Sequence, residues 1–224
     1  NEQEYQEIGK KWIWTALDTP TRLLVCFLIG DRTLKDAHCF LTDLVSRIEG
    51  MPLFTSDELP HYADGLKKLF HELINPEPTG LPGRPRNPEM KVDENLDYAT
   101  VHKTREKGRI VKVETKVVFG SASRINRRMQ ELPGNQINTS YVERSNLNWR
   151  MWDSHLTRKS LMYARSLCWL KAKFSICVAF YNFIRPHETL SRLDDRSFRP
   201  KTPAMAAGIT DHPWSIQELL TCKI

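Results

Sequence analysis

Two acidic residues have types and neighbours suited to chemistry: Asp57, in Phe54-Thr55-Ser56-Asp57, and Glu143, in Asn138-Thr139-Ser140-Tyr141-Val142-Glu143-Arg144. Asp57 follows a short β-rich run, which puts it at the carboxyl end of a predicted strand, where open α/β sheets place ligand chemistry. Glu143 is followed at i+3, i+4 and i+7 by Asn146, Leu147 and Arg150, so on a helix a carboxylate, an amide and a guanidinium share one face. Arg144, Arg150, Arg158 and Lys159 surround that acid with positive charge. An acid in a cationic surface suits a site where oxygen ligands hold a hard divalent cation while a polyanion is gripped. Each acid also has an ordinary structural role open to it. Asp57 could cap the next helix, and Ser140-x-x-Glu143 has the spacing of a capping box.

The elements that must position these residues follow from periodicity and punctuation. Glu4 to Ile8 reads as a weak extended segment, Trp12 to Leu17 as a strand, and Leu23 to Ile29 as a continuous apolar strand, with turns at Gly9-Lys10 and Asp18-Thr19-Pro20-Thr21. A helix follows, with Thr33 as N-cap and Ala37, Phe40, Leu41, Leu44, Val45 and Ile48 on one face, ending at Gly50. A strand from Pro52 to Thr55 delivers Asp57, ahead of a helix through Leu59 to Leu73. Residues 75–97 open with a proline-rich stretch that reads as a linker. Tyr98 to Thr104 and Arg109 to Phe119, joined by Glu106-Lys107-Gly108, read as a basic β-hairpin inserted into the fold. Beyond Ser140 the pattern is helical: about Tyr141 to His155, then about Lys159 to Ile184, stopped ahead of Pro186. A last short helix starts at Ser215, whose spacing to Glu218 is that of a capping box.

With these elements in place, the motifs resemble a known family. The Asn138-to-Asn148 block, with Arg158-Lys159-Ser160, resembles the segment around the final catalytic glutamate of the insertion-sequence-one transposases. Thr55-Ser56-Asp57 is similar to that family's second aspartate, Gly30-Asp31-Arg32-Thr33 to the opening of its first helix, and Tyr181-Asn182-Phe183-Ile184-Arg185-Pro186-His187 to a segment near its end. Thr202 to His212 is similar to the tail of a longer-core branch. The resemblance implies an α/β, ribonuclease H-like core with a mixed five-stranded sheet, a β-hairpin insertion and a helical C-terminal half. Residues 1–74 would form the first part of the core, 75–136 the linker and hairpin, 137–200 the helical second part and 201–224 a tail.

The chemistry it implies is metal-dependent DNA cleavage and strand transfer at transposon ends. Two magnesium ions, with manganese as a substitute, would be held by three carboxylates. Asp57 and Glu143 match the second and third positions; at the first, where the family has aspartate, the spacing back from Gly9 gives Glu2, or Asn1 with a one-residue shift. DNA contacts would come from Arg144, Asn146, Arg150, Arg158, Lys159, Arg185 and His187. The implied partners are double-stranded DNA and further copies of the chain, since transposition pairs two ends, with no membrane. An alternative is a truncated or inactive remnant that binds DNA without cleaving it; a structure-selective nuclease of the same fold is a third reading.

Composition agrees with a nucleic-acid partner without requiring one. The 224 residues carry 33 Lys and Arg against 27 Asp and Glu, a net charge of +6, divided as −5 over residues 1–80 and +11 over 81–224. An apolar fraction of 40% excludes global disorder. The five cysteines include no C-x-x-C pair and read as reduced residues of a cytoplasmic protein, and the histidines show no zinc spacing. No apolar run reads as a membrane span, Phe174 to Phe183 being too short. The Asn at position 1 suggests a fragment. Three smaller features stay two-sided. Gly83-Arg84-Pro85-Arg86 is a minor-groove hook or a solvated loop. Arg185 and His187 bind phosphate or satisfy a helix end. Trp149 and Trp152 are core or stack on a base.

Overall fold

The described residues open with a hairpin of β1 (Trp12–Leu17) and β2 (Leu24–Gly30), antiparallel from Trp12↔Gly30 to Ala16↔Cys26 and irregular before Leu17↔Leu24. The computed structural model describes residues 11–74, 87–107, 109–132, 140–157, 161–162, 164–192 and 197–222. The expected strand from Glu4 to Ile8, Glu2, the Gly83-to-Arg86 tetrapeptide, Arg158 and Lys159 lie outside these residues. By its internal contacts the chain divides into a terminal unit, Asn1–Arg32 with Ser140–Ile224, and a middle unit, Thr33–Thr139.

The middle unit opens with α1 (Leu34–Ser46), capped by the predicted Thr33, whose side chain accepts from the Asp36 amide. Next come β3 (Leu53–Ser56) and α2 (Pro60–Leu69). Gly65 lets α2 approach α1, since a Cβ there would stand 2.5 Å from Leu41 Cδ1. The helix expected through Leu73 stops at Leu69. Phe70 leaves helical geometry, and β4 (His71–Ile74) pairs antiparallel with β5 (Glu89–Val92), a long-range pairing that overrides the local helical pattern. Then β6 (Asp97–Glu106) and β7 (Arg109–Phe119) form the expected hairpin. It is joined to the sheet, because β6 runs parallel to β3 from Leu53↔Asp97 to Ser56↔Thr100, giving the mixed order β3-β6-β7. The first half of β6 is accordingly buried at consecutive positions, Asp97 to Val101, while most of β7 is exposed. The last helix of the unit, α3 (Ala122–Glu131), packs Ile125 and Met129 on Ala99 and Val101.

The chain returns to the terminal unit with α4 (Ser140–Trp152), a 3₁₀ turn (Ser154–Leu156) and α5 (Leu167–Ala179), which continues into a π-helical turn, Phe180–Ile184. The long helix expected from Lys159 starts, among the described residues, only at Leu167. Ser166 is extended, a conformation that serine favours at helix ends, and Leu161 is 96% exposed. The helical run ends before Pro186, as the ring requires. Short helices α6 (Glu188–Ser191), α7 (Pro203–Ala206) and α8 (Ile216–Thr221) follow, and α8 carries the predicted Ser215/Glu218 capping box.

The terminal core is aromatic. Trp149 meets Trp152, Phe174 and Tyr181 edge-on at 5.2–5.4 Å, and Phe174 meets Phe27 at 4.7 Å, fastening α4 and α5 to the hairpin. Each such pair contributes about 0.5–1.5 kcal/mol beyond burial. Trp149, 2% exposed, is therefore a core residue. By length and composition Leu167–Ser191 is apolar enough to cross a membrane. Within it Phe174 and Tyr181 are core, Lys173 pairs with buried Asp153, and Asn182 bonds to β2. The described strands thus form a three-stranded mixed sheet and two smaller antiparallel pairs within an α/β chain.

Candidate functional site

Asp57 follows directly on β3, one residue beyond Ser56. Its carboxylate is exposed and free of ion pairs among the described residues; its one contact is a long one, 3.4 Å, from the Leu59 amide. The N-cap of α2 is Leu59, with no side-chain cap, so Asp57 is not spent on capping. Around it Ser56 Oγ donates to the Asp57 carbonyl at 2.6 Å and lies 2.7 Å from the Tyr98 hydroxyl. Burial pushes that hydroxyl's pKa up; the bond to Ser56 opposes the shift and the negative charge of Asp57 adds to it. Glu58 pairs with His102 Nδ1 at 2.5 Å, and Glu114 stands opposite His102 on β7. The parallel pairing of β3 with β6 brings these groups together, which the hairpin's sequence did not reveal.

Glu143 lies exposed in the first turn of α4, with Arg144 exposed beside it and Asn146 and Arg150 half-buried. The opposite face explains this orientation, since Ser145 and Trp149 are buried. Asp57 belongs to the middle unit and Glu143 to the terminal unit, while Glu2 is outside the described residues. Among the described residues no group of three or more His, Cys, Asp or Glu is arranged to hold a metal ion. The donor chemistry itself fits magnesium: Asp57 and Glu143 are exposed carboxylates, and Asp57 has an oxygen that no donor among the described residues occupies.

A second constellation surrounds the end of α5. Arg22, after the Asp18–Thr21 turn, adopts φ 63°, and its carbonyl accepts from the Tyr181 hydroxyl at 2.9 Å. Its guanidinium lies 3.5 Å from the Tyr141 ring centroid, and its Nε and Nη1 are buried with no hydrogen-bond partner among the described residues. Asn182 bonds both the amide and the carbonyl of Leu24, at 3.1 and 3.0 Å, as a neighbouring strand would. Arg185 is exposed and stacks on Trp152 at 4.6 Å; half-buried His187 has Nδ1 3.0 Å from Thr189 Oγ1. Burial, then the charges of Arg22 and Arg185, push the His187 pKa down, against Glu188. Burial drives the Tyr181 hydroxyl up to about 12, against the bond with Ser145 and the same two arginines. The sequence singled out Arg185 and His187 but not Arg22, an arginine straight after a turn.

Two buried acids are structural by contrast. Asp97 receives Arg124 Nε on both oxygens at 2.7 and 2.8 Å and Arg128 Nε at 3.3 Å, fixing α3 to the sheet. Asp153 receives Lys173 Nζ at 2.7 Å and the His155 amide at 3.0 Å. Burial alone would raise the Asp153 pKa, but these donors outweigh it and hold the carboxyl below its ordinary value. No family model, curated protein or solved structure matches the chain.

Proposed function

We propose that the chain is the catalytic core of a DNA transposase with a ribonuclease H-like fold, cleaving DNA and transferring strands at transposon ends. The carrying observation is Asp57, an exposed carboxylate not used for capping, at the carboxyl end of β3. The order of β1, β2, α1, β3, α2 and β6, with β3 and β6 parallel, is compatible with that fold.

Asp57, Glu143 and Glu2 would hold two magnesium ions, for which manganese substitutes. When bound, the ions activate the attacking oxygen and stabilise the leaving one at a phosphodiester. The protein's own side chains bind and orient. Arg144, Arg150, Arg158 and Lys159 neutralise phosphates along the strand, and Asn146 offers a neutral donor and acceptor beside Glu143. Two copies would hold two DNA ends. A second reading is DNA binding without cleavage. Incubating the chain and Asp57→Ala with end-bearing DNA and Mg²⁺ or Mn²⁺ separates them: nicking that vanishes in the variant supports the enzyme, and binding without nicking by both refutes it.

A further inference from the structure

We propose that Arg22, Arg185 and His187 form a binding site for a backbone phosphate of DNA, headed by the buried guanidinium of Arg22. The proposal rests on the reading of the chain as a DNA-acting protein and adds to it a contact distinct from the arginines on α4.

Arg22 is only 7% exposed, yet its Nε and Nη1 have no partner and no carboxylate pairs with it among the described residues. An arginine cannot shed its charge, so a buried, unpaired guanidinium is a standing cost to the fold. Everything around it holds it in place. The backbone is fixed in a left-handed conformation, which a non-glycine residue adopts only where its surroundings impose it, by the Tyr181 hydroxyl on the Arg22 carbonyl. The Tyr141 ring stacks on one face of the guanidinium, while Nε and Nη1 on its edge are buried with no hydrogen-bond partner among the described residues. That edge has the fork geometry of phosphate oxygens.

The neighbouring groups are cationic or able to become so. Tyr181 joins the groups: its hydroxyl donates to the Arg22 carbonyl at 2.9 Å, its ring meets the His187 ring edge-on at 6.2 Å, and the charges of Arg22 and Arg185 both act on His187, against Glu188. A bound phosphate would relieve this concentration of positive charge. A phosphodiester is the form expected on the reading of the chain as DNA-acting, and Tyr141, three residues before Arg144, ties the site to α4.

The test is binding of a fluorescent 20-base-pair DNA duplex by the full chain across a salt series, with Arg22→Met and Arg185→Gln. Arg22→Met should weaken binding about tenfold, the equivalent of one charge-assisted hydrogen bond, and flatten the log-affinity against log-salt slope by about 0.9. Its thermal midpoint should not fall, since an unpaired buried charge has been removed. A purely structural arginine would give a lower midpoint and an unchanged slope. Arg185 is exposed, so Arg185→Gln leaves folding alone and should also flatten the slope, which decides the matter should Arg22→Met fail to fold. Parent and variants binding DNA alike overturns this site and leaves the DNA reading standing; a parent that binds no DNA overturns both. Inorganic phosphate stabilising the parent as much as the duplex does would assign the site to free phosphate and overturn the proposal.

Discussion

Asn182 offers a direct test of how the terminal unit is held together. It lies in the π-helical turn that follows α5, 6% exposed, and its side-chain amide satisfies both the N–H and the C=O of Leu24. In Asn182→Ala both backbone groups lose their partner in a site that admits little water. An orphaned buried group costs about 1–3 kcal/mol, so the pair should cost about 2–6 kcal/mol, a large share of the about 5–15 kcal/mol of a typical domain. Asn182→Asp keeps an acceptor for the Leu24 amide but sets a carboxylate oxygen against its carbonyl, and should be no better tolerated. Exposed Ser175→Ala, which loses one bond to the Lys171 carbonyl, should stay within about 0.5 kcal/mol. The assay is urea unfolding followed by tryptophan fluorescence. All six tryptophans, Trp12, Trp14, Trp149, Trp152, Trp169 and Trp214, belong to the terminal unit, so the signal reports that unit. An Asn182→Ala midpoint indistinguishable from that of Ser175→Ala would show that the Asn182 bonds to Leu24 do not hold the unit together.

Two further perturbations probe the buried acids. Gly120 has φ 90°, and a Cβ there would collide with Asp97 Oδ1 and stand 2.9 Å from the Leu96 carbonyl oxygen, so Gly120→Ala should cost at least about 2 kcal/mol by urea unfolding followed by circular dichroism; a change below about 0.5 kcal/mol would contradict the packing described. Because the folded pKa of Asp153 is depressed, its contribution is fully present above about pH 4 and is lost as pH falls through the folded value. The gap in thermal midpoint between the parent and Asp153→Asn should therefore narrow on acidification from pH 7 to pH 2, and a gap independent of pH would exclude this linkage.

What could be read in the sequence was local. Thr33 as a cap, the Ser215/Glu218 box, the hairpin across Lys107 and the stop before Pro186 all depend on residues within a few positions of each other, and each is present. The parallel pairing of β3 with β6 joins segments more than forty residues apart and leaves no periodicity of its own, so β6 read as part of an insertion. For the same reason β4 looked like the end of a helix. The helix α3 did carry a signal, Ser121 ahead of Ile125 and Met129 at i and i+4, hidden in a strongly basic stretch. Asp57 and Glu143 stood out through their neighbours. Arg22 did not, because its burial depends on Tyr141 and Tyr181, which lie far along the chain.

The most direct test of the proposed function is the single-turnover rate at which the chain nicks end-bearing DNA in Mg²⁺, compared with Asp57→Asn and Glu143→Gln. Measurable nicking by the parent is expected, with a fall of at least about a hundredfold in each variant, the scale for losing a group that stabilises charge in the transition state, and with DNA affinity retained. A parent that binds such DNA and does not nick it, or variants that nick as fast as the parent, would contradict the proposed function.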